Sequence, residues 1–215
     1  MRVLEVFADV WCPFTHVGLR RLIEERDRRG RNDVVVRVRA WPLELVNGAP
    51  LSSALVADEV HALRDAVAPE LFRGFNVEHF PSTSLPALTL AASAYRRDDR
   101  TGERMSLALR TALFEEGRDV SDRAELAAIA NAVDPDPARR DAEQAVYDDW
   151  EEGRCRGVIG SPHFFFDDHN YFCPTLAIER VDEHLQIRAD PEGFAAFVEG
   201  AFNEAPPPLI KTPRA

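Results

Sequence analysis

The N-terminal segment of the chain has the order strand, helix, strand, and this order restricts the folds open to it. Residues 3–8 form a short apolar strand segment, and residues 34–41 are rich in β-branched side chains. The helical segment between them has apolar positions that include Val17, Leu19 and Leu22. A connection of this length joins two parallel strands, so the sequence predicts a right-handed βαβ unit.

A cysteine followed by proline, Cys12-Pro13, stands where the first strand gives way to the helix. Free backbone N–H groups and the positive end of the helix converge at such a position, which favours the thiolate over the thiol. Pro13 fits the first helical turn because its missing N–H costs nothing there. We therefore expect Cys12 to be more acidic than an ordinary cysteine and predict that it is the nucleophile.

The middle of the chain is predicted to be helical. From Ser52 to about Trp150 the apolar residues recur at helical spacing, and no convincing strand interrupts them. Residues 119–122 supply an N-cap for one of these helices. The predicted helices are residues 53–66, 85–97, 102–116, 121–132 and 138–152.

Strand-forming sequence returns after the helical stretch. Residues 157–167 contain a loop with two glycines followed by an aromatic run, and residues 168–170 have turn composition before a short strand at residues 171–173. These two strands should be antiparallel and should join the sheet of the N-terminal unit. A final helix is predicted at residues 191–202, whereas the proline-rich tail, residues 205–215, should be extended.

Two motifs at opposite ends of the chain resemble those of a known family. Asp-x-x-Cys-Pro-x-x-x-x-Gly at residues 9–18 and Gly-Val-x-Gly-Ser-Pro-x-Phe at residues 157–164 are similar, in this order, to motifs of the DsbA-like thioredoxin-fold family. That family includes FrnE-type oxidoreductases and 2-hydroxychromene-2-carboxylate isomerases. The resemblance implies a thioredoxin-like α/β fold with an inserted all-helical subdomain.

The resemblance also implies a discontinuous domain organisation. Residues 1–50 and 153–204 would form the thioredoxin-like domain, residues 51–152 the helical insertion and residues 205–215 the extended tail. In the family, the proline at the second motif is cis and lies against the active-site cysteine, and a polar residue often faces the site from the insertion. Pro162 and the loop Ser82-Thr83-Ser84 stand at these two positions.

The second sulfur of the family's usual Cys-x-x-Cys motif is replaced by Thr15. A dithiol resolves its own mixed disulfide through that sulfur, and Cys12 has no such partner at helical spacing. The Thr15 hydroxyl could donate to the Cys12 sulfur and stabilise its thiolate, or it could bond back to its own helix. Cys12, Thr15 and Pro162 are the candidate catalytic residues.

Five neighbours of these residues are candidates for substrate binding. Trp11 and Phe14 could form an apolar rim or pack the helix start against the sheet. His16, if protonated, would lower the pKa of the thiol further, although a solvent-facing imidazole is the simpler expectation. Ser161 could pair its backbone N–H and C=O with an extended thiol ligand, as an added strand does. Pro13 completes the set.

The other two cysteines, Cys155 and Cys173, could resolve a disulfide on Cys12 or pair with each other. In a cytosolic protein we expect both to be inert, small core residues. The polar residues between His163 and Cys173 have turn composition, and no ligand pairs occur at zinc-site spacing, so no metal site is predicted.

The net charge and the lack of long apolar segments argue against several kinds of partner and location. The formal net charge of −11 argues against nucleic acid or an anionic membrane as a partner. No signal peptide is visible, and no run of about eighteen apolar residues could span a bilayer. We therefore expect a cytoplasmic protein. We also expect a monomer or a homodimer, without a tightly bound cofactor.

The hypothesis for function is DsbA-like thiol–disulfide exchange through the single sulfur of Cys12. The mixed disulfide would lie against Ser161 and Pro162, and glutathione or another low-molecular-weight thiol would resolve it as co-substrate. One alternative is a glutathione-dependent isomerase or kappa-type transferase that acts on a small aromatic substrate. Another is a degenerate thioredoxin-fold binding module, for which Cys12 would be an ordinary, unreactive thiol.

Overall fold

A computed structural model describes residues 1–134, 142–182 and 184–202. Its strands are β1 (Arg2–Ala8), β2 (Val34–Ala40), β3 (His163–Phe166), β4 (His169–Phe172), β5 (Leu176–Val181) and β6 (His184–Ala189). Its helices are α1 (Pro13–Arg28), α2 (Leu43–Asn47), α3 (Ser53–Ala66), α4 (Leu85–Tyr95), α5 (Asp99–Phe114), α6 (Arg123–Val133), α7 (Glu143–Cys155) and α8 (Pro191–Phe202), with a short 3-10 helix at Val77–His79. None of the described helices is long and apolar enough to cross a membrane.

The main sheet has the strand order β2-β1-β3-β4. Strands β1 and β2 are parallel, with Val6 opposite Val38, and α1 forms the crossover between them. Strand β3 runs antiparallel to β1, with Phe164 opposite Val6, and β4 runs antiparallel to β3. The predicted α/β sheet, made of a parallel pair and an antiparallel hairpin, is confirmed.

Side chains alternate along β1 between two apolar layers, as the pleat of a strand requires. Val6 packs in a cluster with Leu19 of α1 and Phe197 of α8. Phe7 points to the opposite face, where it meets the edge of the Trp41 ring with centroids 6.5 Å apart. Helix α7 lies close to this second face, because a Cβ on Gly153 would stand 2.6 Å from the Trp41 ring.

The stretch between β2 and β3 is helical, as predicted, with shifted boundaries. Helix α3 has the predicted bounds, and Asp122 caps α6 by accepting hydrogen bonds from the N–H groups of Ala124 and Glu125. Helix α5 begins three residues early because the carboxylate of Asp98 caps it at Thr101 N. The predicted start of the last helix of the stretch, residues 138–141, lies outside the described residues, and α7 extends to Cys155.

The hairpin of β5 and β6 was not predicted from the sequence. Its apolar residues Leu176 and Ile187 are buried in the same cluster as Val56 and Val60 of α3. The hairpin forms because it covers α3, and a short segment gives no local sign of such a distant partner. The predicted domain boundaries stay a prediction, and the tail at 205–215 lies outside the described residues.

The turn of the first hairpin also differs from expectation. Asp167 and Asp168 form a two-residue turn, with Asp167 in the left-handed region at φ 48°, and His169 already belongs to β4. Aspartate tolerates this backbone region better than most residues, because its short side chain can hydrogen-bond locally.

Candidate active site

Cys12 occupies the N-cap position of α1, in extended backbone conformation, with Pro13 as the first helical residue. The turn before the helix is closed by a hydrogen bond from Cys12 N to Asp9 O of 3.4 Å. Only 4% of the Cys12 surface is exposed. The cysteine therefore stands where the sequence places it, but it is covered by the rest of the chain.

The second motif meets the first at the Cys12 sulfur. The Ser161–Pro162 peptide bond is cis, and the Cys12 thiol donates a hydrogen bond of 3.0 Å to Ser161 O. The Pro162 ring lies along α1, because a Cβ on Gly18 would stand 3.8 Å from Pro162 Cγ. Residues separated by about 150 positions thus form one site.

Two hydroxyl groups lie beside the thiol. Asp9 N donates to Ser161 Oγ over 3.0 Å, and Ser161 Oγ lies 2.9 Å from Thr15 Oγ1. Because Ser161 Oγ accepts the Asp9 N–H, the Ser161 proton can go to Thr15, which leaves the Thr15 proton free for the Cys12 sulfur. The Thr15 side chain is buried and bonds to Ser161, and hydrogen bonding with Thr15 lowers the pKa of Cys12, but the donation from its hydroxyl to the sulfur stays a prediction.

The ionisation of Cys12 is nevertheless opposed by its surroundings. Burial raises the pKa of Cys12 above that of an ordinary thiol, and hydrogen bonds with Ser161 and Thr15 lower it by less. The charge of Glu59 on α3 raises the pKa further. The expectation of an acidic Cys12 was wrong, because desolvation outweighs the favourable position at the helix start.

A buried carboxyl group, Asp9, organises the turn that carries Cys12. Its Oδ1 accepts from Trp11 N at 2.9 Å, and its Oδ2 accepts from Leu43 N at 2.6 Å and Ser84 Oγ at 3.1 Å. Burial raises the pKa of Asp9 to about 6, because it outweighs these hydrogen bonds and the nearby Arg110. Asp9 is the first residue of the motif at residues 9–18, but no role was predicted for it.

The polar loop before α4 reaches this carboxyl group. Ser84 Oγ lies 3.1 Å from both Asp9 Oδ2 and Glu44 Oε1, and Thr83 Oγ1 donates to Glu44 at 2.9 Å. Of the polar residues at this loop, Ser84 therefore bonds to the Asp9 carboxylate, which in turn accepts from Trp11 N in the turn before Cys12. Glu44 was missed, because it follows β2 and is brought to the loop only by the fold.

His16 points away from solvent, so the expectation of an exposed imidazole was wrong. Its ring is 2% exposed and packs at 5.3 Å and 5.1 Å from the rings of Phe72 and Phe114. Burial lowers the pKa of His16, so the neutral ring donates Nε2–H to Glu115 Oε1 over 2.6 Å. Burial alone would raise the pKa of Glu115, but hydrogen bonds from His16 and two backbone N–H groups lower it to about 2.

Trp11 and Phe14 pack rather than stand open to solvent. Trp11 is fully buried, with its ring 5.6 Å from that of Phe80, and Phe14 is partly buried against the same apolar cluster. Of the two interpretations of this pair, the structure therefore favours packing of the helix start. Ser161 O lies 3.0 Å from the sulfur, and Pro13 follows Cys12 as the first residue of α1.

Comparison with known proteins decides the family. A profile described as the DSBA-like thioredoxin domain matches residues 3–186. The chain belongs to this family. Comparison with curated protein sequences gives no significant match.

Solved structures support the fold of this DSBA-like chain. A 2-hydroxychromene-2-carboxylate isomerase is 14% identical, with a TM-score of 0.61 over 79% of this chain and 88% of the other. The cytosolic disulfide reductase DsbM from Pseudomonas aeruginosa is 16% identical, with a TM-score of 0.56 over 92% and 97%. Its structure with GSH gives a TM-score of 0.53 at 18% identity over 92% and 97%.

The two remaining cysteines of this DSBA-like chain differ from each other. Cys155 is exposed at the end of α7, so the expectation of a core residue was wrong for it. Cys173 is buried, and its N–H donates to Pro162 O over 3.0 Å. Burial, and then the charge of Cys12, raise the pKa of Cys173. Among the described residues, no group of three His, Cys, Asp or Glu side chains is placed to hold a metal ion.

A cavity of about 600 Å³ lies between α4, α6 and the start of α7. Its lining is mostly apolar and includes Leu85, Leu90, Leu126 and Ala130. This volume lies within the range of about 300–1,000 Å³ that small-molecule sites have. The cavity walls do not include Cys12, Thr15 or Pro162.

Proposed function

We propose that the chain catalyses thiol–disulfide exchange through the sulfur of Cys12 alone. The observation that carries the proposal is the contact of 3.0 Å between Cys12 Sγ and Ser161 O, next to the cis peptide bond of Pro162. Thr15 stands at the position of the second sulfur and bonds to Ser161 instead. Two hydroxyl groups thus lie beside the Cys12 sulfur, and the buried thiol of Cys173 is close enough for the charge of Cys12 to raise its pKa.

The reaction then has two exchange steps. The Cys12 thiolate attacks one sulfur of a disulfide RSSR, which forms the mixed disulfide Cys12–S–S–R and releases RS⁻. An external thiolate R′S⁻ attacks the sulfur of R, which releases RSSR′ and regenerates the Cys12 thiolate. Electrons balance, because each step breaks one S–S bond and forms another. Thr15 lacks a sulfur that could replace the external thiol.

The proposed co-substrate is a small thiol such as glutathione. Cys12 is 4% exposed, so the folded chain offers little room for a bulky partner at the sulfur. DsbM, a disulfide reductase of the same fold, has a structure that contains GSH. The proposal places the reaction in the cytoplasm, where such thiols are abundant, in a monomer or a homodimer.

The test is trapping of the mixed disulfide. The folded protein is incubated with oxidised glutathione, and adducts on the three cysteines are located by peptide mass spectrometry. We expect an adduct on Cys12 that reduced glutathione removes, and loss of exchange activity in Cys12→Ser. Cys155→Ser is the matched control, since it removes an exposed sulfur and should keep the activity. Full exchange activity in Cys12→Ser would refute the proposal.

A second candidate is isomerisation or conjugation with bound glutathione. The fold is shared with a 2-hydroxychromene-2-carboxylate isomerase, and the apolar cavity of about 600 Å³ could hold an aromatic substrate. This candidate predicts turnover of aromatic substrates only when glutathione is present. Turnover that persists in Cys12→Ser would favour it over disulfide exchange.

The third candidate is a binding module without catalysis. The raised pKa of Cys12 favours it, because a thiol that stays protonated is a poor nucleophile. Alkylation of Cys12 by iodoacetamide, followed across pH, separates the two. A Cys12 rate no faster than that of a model thiol, with no trapped adduct, would support the binding module.

A further inference from the structure

A buried arginine reaches from the helical part of the chain to the turn that carries Cys12. Arg110 lies on α5 and is 1% exposed. Its Nη2 donates to Asp9 O over 3.0 Å, and its Nη1 donates to Ser106 Oγ over 2.6 Å and Ser106 O over 3.0 Å. Asp9 O is also the acceptor for Cys12 N, so the guanidinium and the N-cap share one carbonyl group.

The positive charge of Arg110 has no direct ion-pair partner in the described part of the chain. Its hydrogen bonds go to two carbonyl oxygens and a hydroxyl group, and its buried Nε has no hydrogen-bond partner there. Burying a cation without a contacting carboxylate is costly. The groups that feel its charge include Asp9, Tyr95, Cys12 and His16, so a negative charge on the Cys12 sulfur would partly offset this cost.

We propose that Arg110 is a positioning residue that fixes the Cys12 turn and stabilises the negative charge on the Cys12 sulfur. The inference rests on Cys12 being the nucleophile of the proposed function. When Cys12 ionises, its proton passes to solvent and the sulfur gains a negative charge, while Arg110 keeps its protons. The guanidinium acts through space and through Asp9 O, without touching the substrate.

Charged and titratable groups face Cys12 from several elements. Glu59 comes from α3 and opposes ionisation, Cys173 follows β4, and Arg110 comes from α5. Asp9 precedes the same turn, and it also interacts with Arg110. Of these groups, Arg110 is the cation, so it offsets part of the penalty that burial and Glu59 impose on the thiolate.

The experiment is the pH dependence of Cys12 alkylation by iodoacetamide in the full chain, with the cysteines resolved by peptide mass spectrometry. We expect Arg110→Gln to move the midpoint upward by about one pH unit, which lowers the alkylation rate below the midpoint about tenfold. Arg110→Lys keeps the charge and should keep the midpoint near that of the parent. Glu59→Gln is the matched variant of opposite sign and should move the midpoint downward.

Circular dichroism and thermal melting establish which variants are folded. A folded Arg110→Gln protein with an unchanged midpoint would overturn the proposal. If Arg110→Gln does not fold, Arg110→Met, which also removes the charge, decides. A midpoint raised by about one unit supports stabilisation by charge, whereas a midpoint near that of the parent overturns it.

Alkylation needs no disulfide substrate, so the two proposals fail separately. A midpoint that responds to Arg110, together with an absence of mixed disulfides on Cys12, would leave the electrostatic role standing and refute the exchange reaction. Trapped mixed disulfides on Cys12, together with a midpoint that is the same in Arg110→Gln as in the parent, would support the exchange reaction and refute the electrostatic role.

Discussion

The sulfur of Cys12 lies 3.0 Å from the carbonyl oxygen of Ser161, the residue before cis Pro162. A carbonyl oxygen only accepts hydrogen bonds, so this contact requires the protonated thiol. Ionisation removes the bond and leaves a negative sulfur facing an oxygen lone pair. The Ser161 hydroxyl lies 2.9 Å from Thr15 Oγ1, and the Thr15 hydroxyl is the donor available to the thiolate. Ser161 therefore contacts the thiol directly through its carbonyl oxygen, whereas its hydroxyl reaches the thiolate only through Thr15.

Loss of the Thr15 hydroxyl should make Cys12 less acidic. Thr15→Val keeps the shape of the buried side chain but removes the donor, so we expect the alkylation midpoint of Cys12 to rise by about one unit. Thr15→Ser keeps the hydroxyl and serves as the control, with a midpoint near that of the parent. Equal midpoints in the valine and serine variants would mean that the hydroxyl does not serve the thiolate.

A second sulfur at position 15 should change how the mixed disulfide is resolved. In Thr15→Cys, the introduced thiol lies one helical turn from Cys12 and can attack the mixed disulfide intramolecularly. With oxidised glutathione we expect an intramolecular disulfide in place of the Cys12 adduct. Peptide mapping without reduction distinguishes the two products. Accumulation of the glutathione adduct as in the parent would contradict the single-sulfur mechanism.

Asp9 should increase stability on mild acidification. Its pKa is about 6 in the folded chain, against an ordinary value of 3.8. The folded state therefore binds this proton first, and the Asp9 contribution to the free energy of unfolding rises by about 3 kcal/mol as the pH falls from above 6 to below 3.8. Asp9→Asn removes the contribution.

The measurement is urea denaturation of the parent and Asp9→Asn at several pH values through this window. His16 and Glu115 have lowered pKa values, so their contributions fall on acidification and oppose that of Asp9. Both proteins keep these two groups, so the difference between the curves isolates Asp9. Parallel curves would show that Asp9 titrates normally.

His16 should act on stability and leave Cys12 ionisation unchanged. His16→Leu removes the donor to Glu115, whose carboxylate then loses one of three hydrogen bonds, so we expect a loss of about 1–3 kcal/mol. His16→Gln can place a donor near the same oxygen and should lose less. Urea denaturation measures the loss. A shifted Cys12 alkylation midpoint in His16→Leu would instead restore a role for the imidazole at the site.

Local features of the sequence predicted most of the main sheet and the helices. Helix α3 has the predicted bounds because its residue spacing and the cap at Ser52 are properties of a short segment. The hairpin of β5 and β6 was not predicted, because its burial depends on α3, which lies more than 100 positions earlier in the chain. A strand's environment is set by its neighbours more than by its own residues.

The residues of the site were also predicted only in part. Cys12, Thr15, Ser161 and Pro162 were found because each stands in a motif. Arg110 was missed, although Ser106, Leu109, Arg110 and Leu113 follow the spacing of one helix face. A charged residue on an otherwise buried face was the signal that could have identified it.

The sequence by itself determined that a cysteine begins a helix after a parallel strand, that a serine-proline pair precedes a second strand, and that no sulfur stands at position 15. These are properties of neighbouring residues. The tertiary structure alone decided how acidic Cys12 is. Burial raises its pKa, hydrogen bonds with Ser161 and Thr15 lower it, and the charge of Glu59 raises it, and several of these groups come from segments far apart in the chain. Electrostatic energy depends on distance and desolvation, which only the folded chain defines.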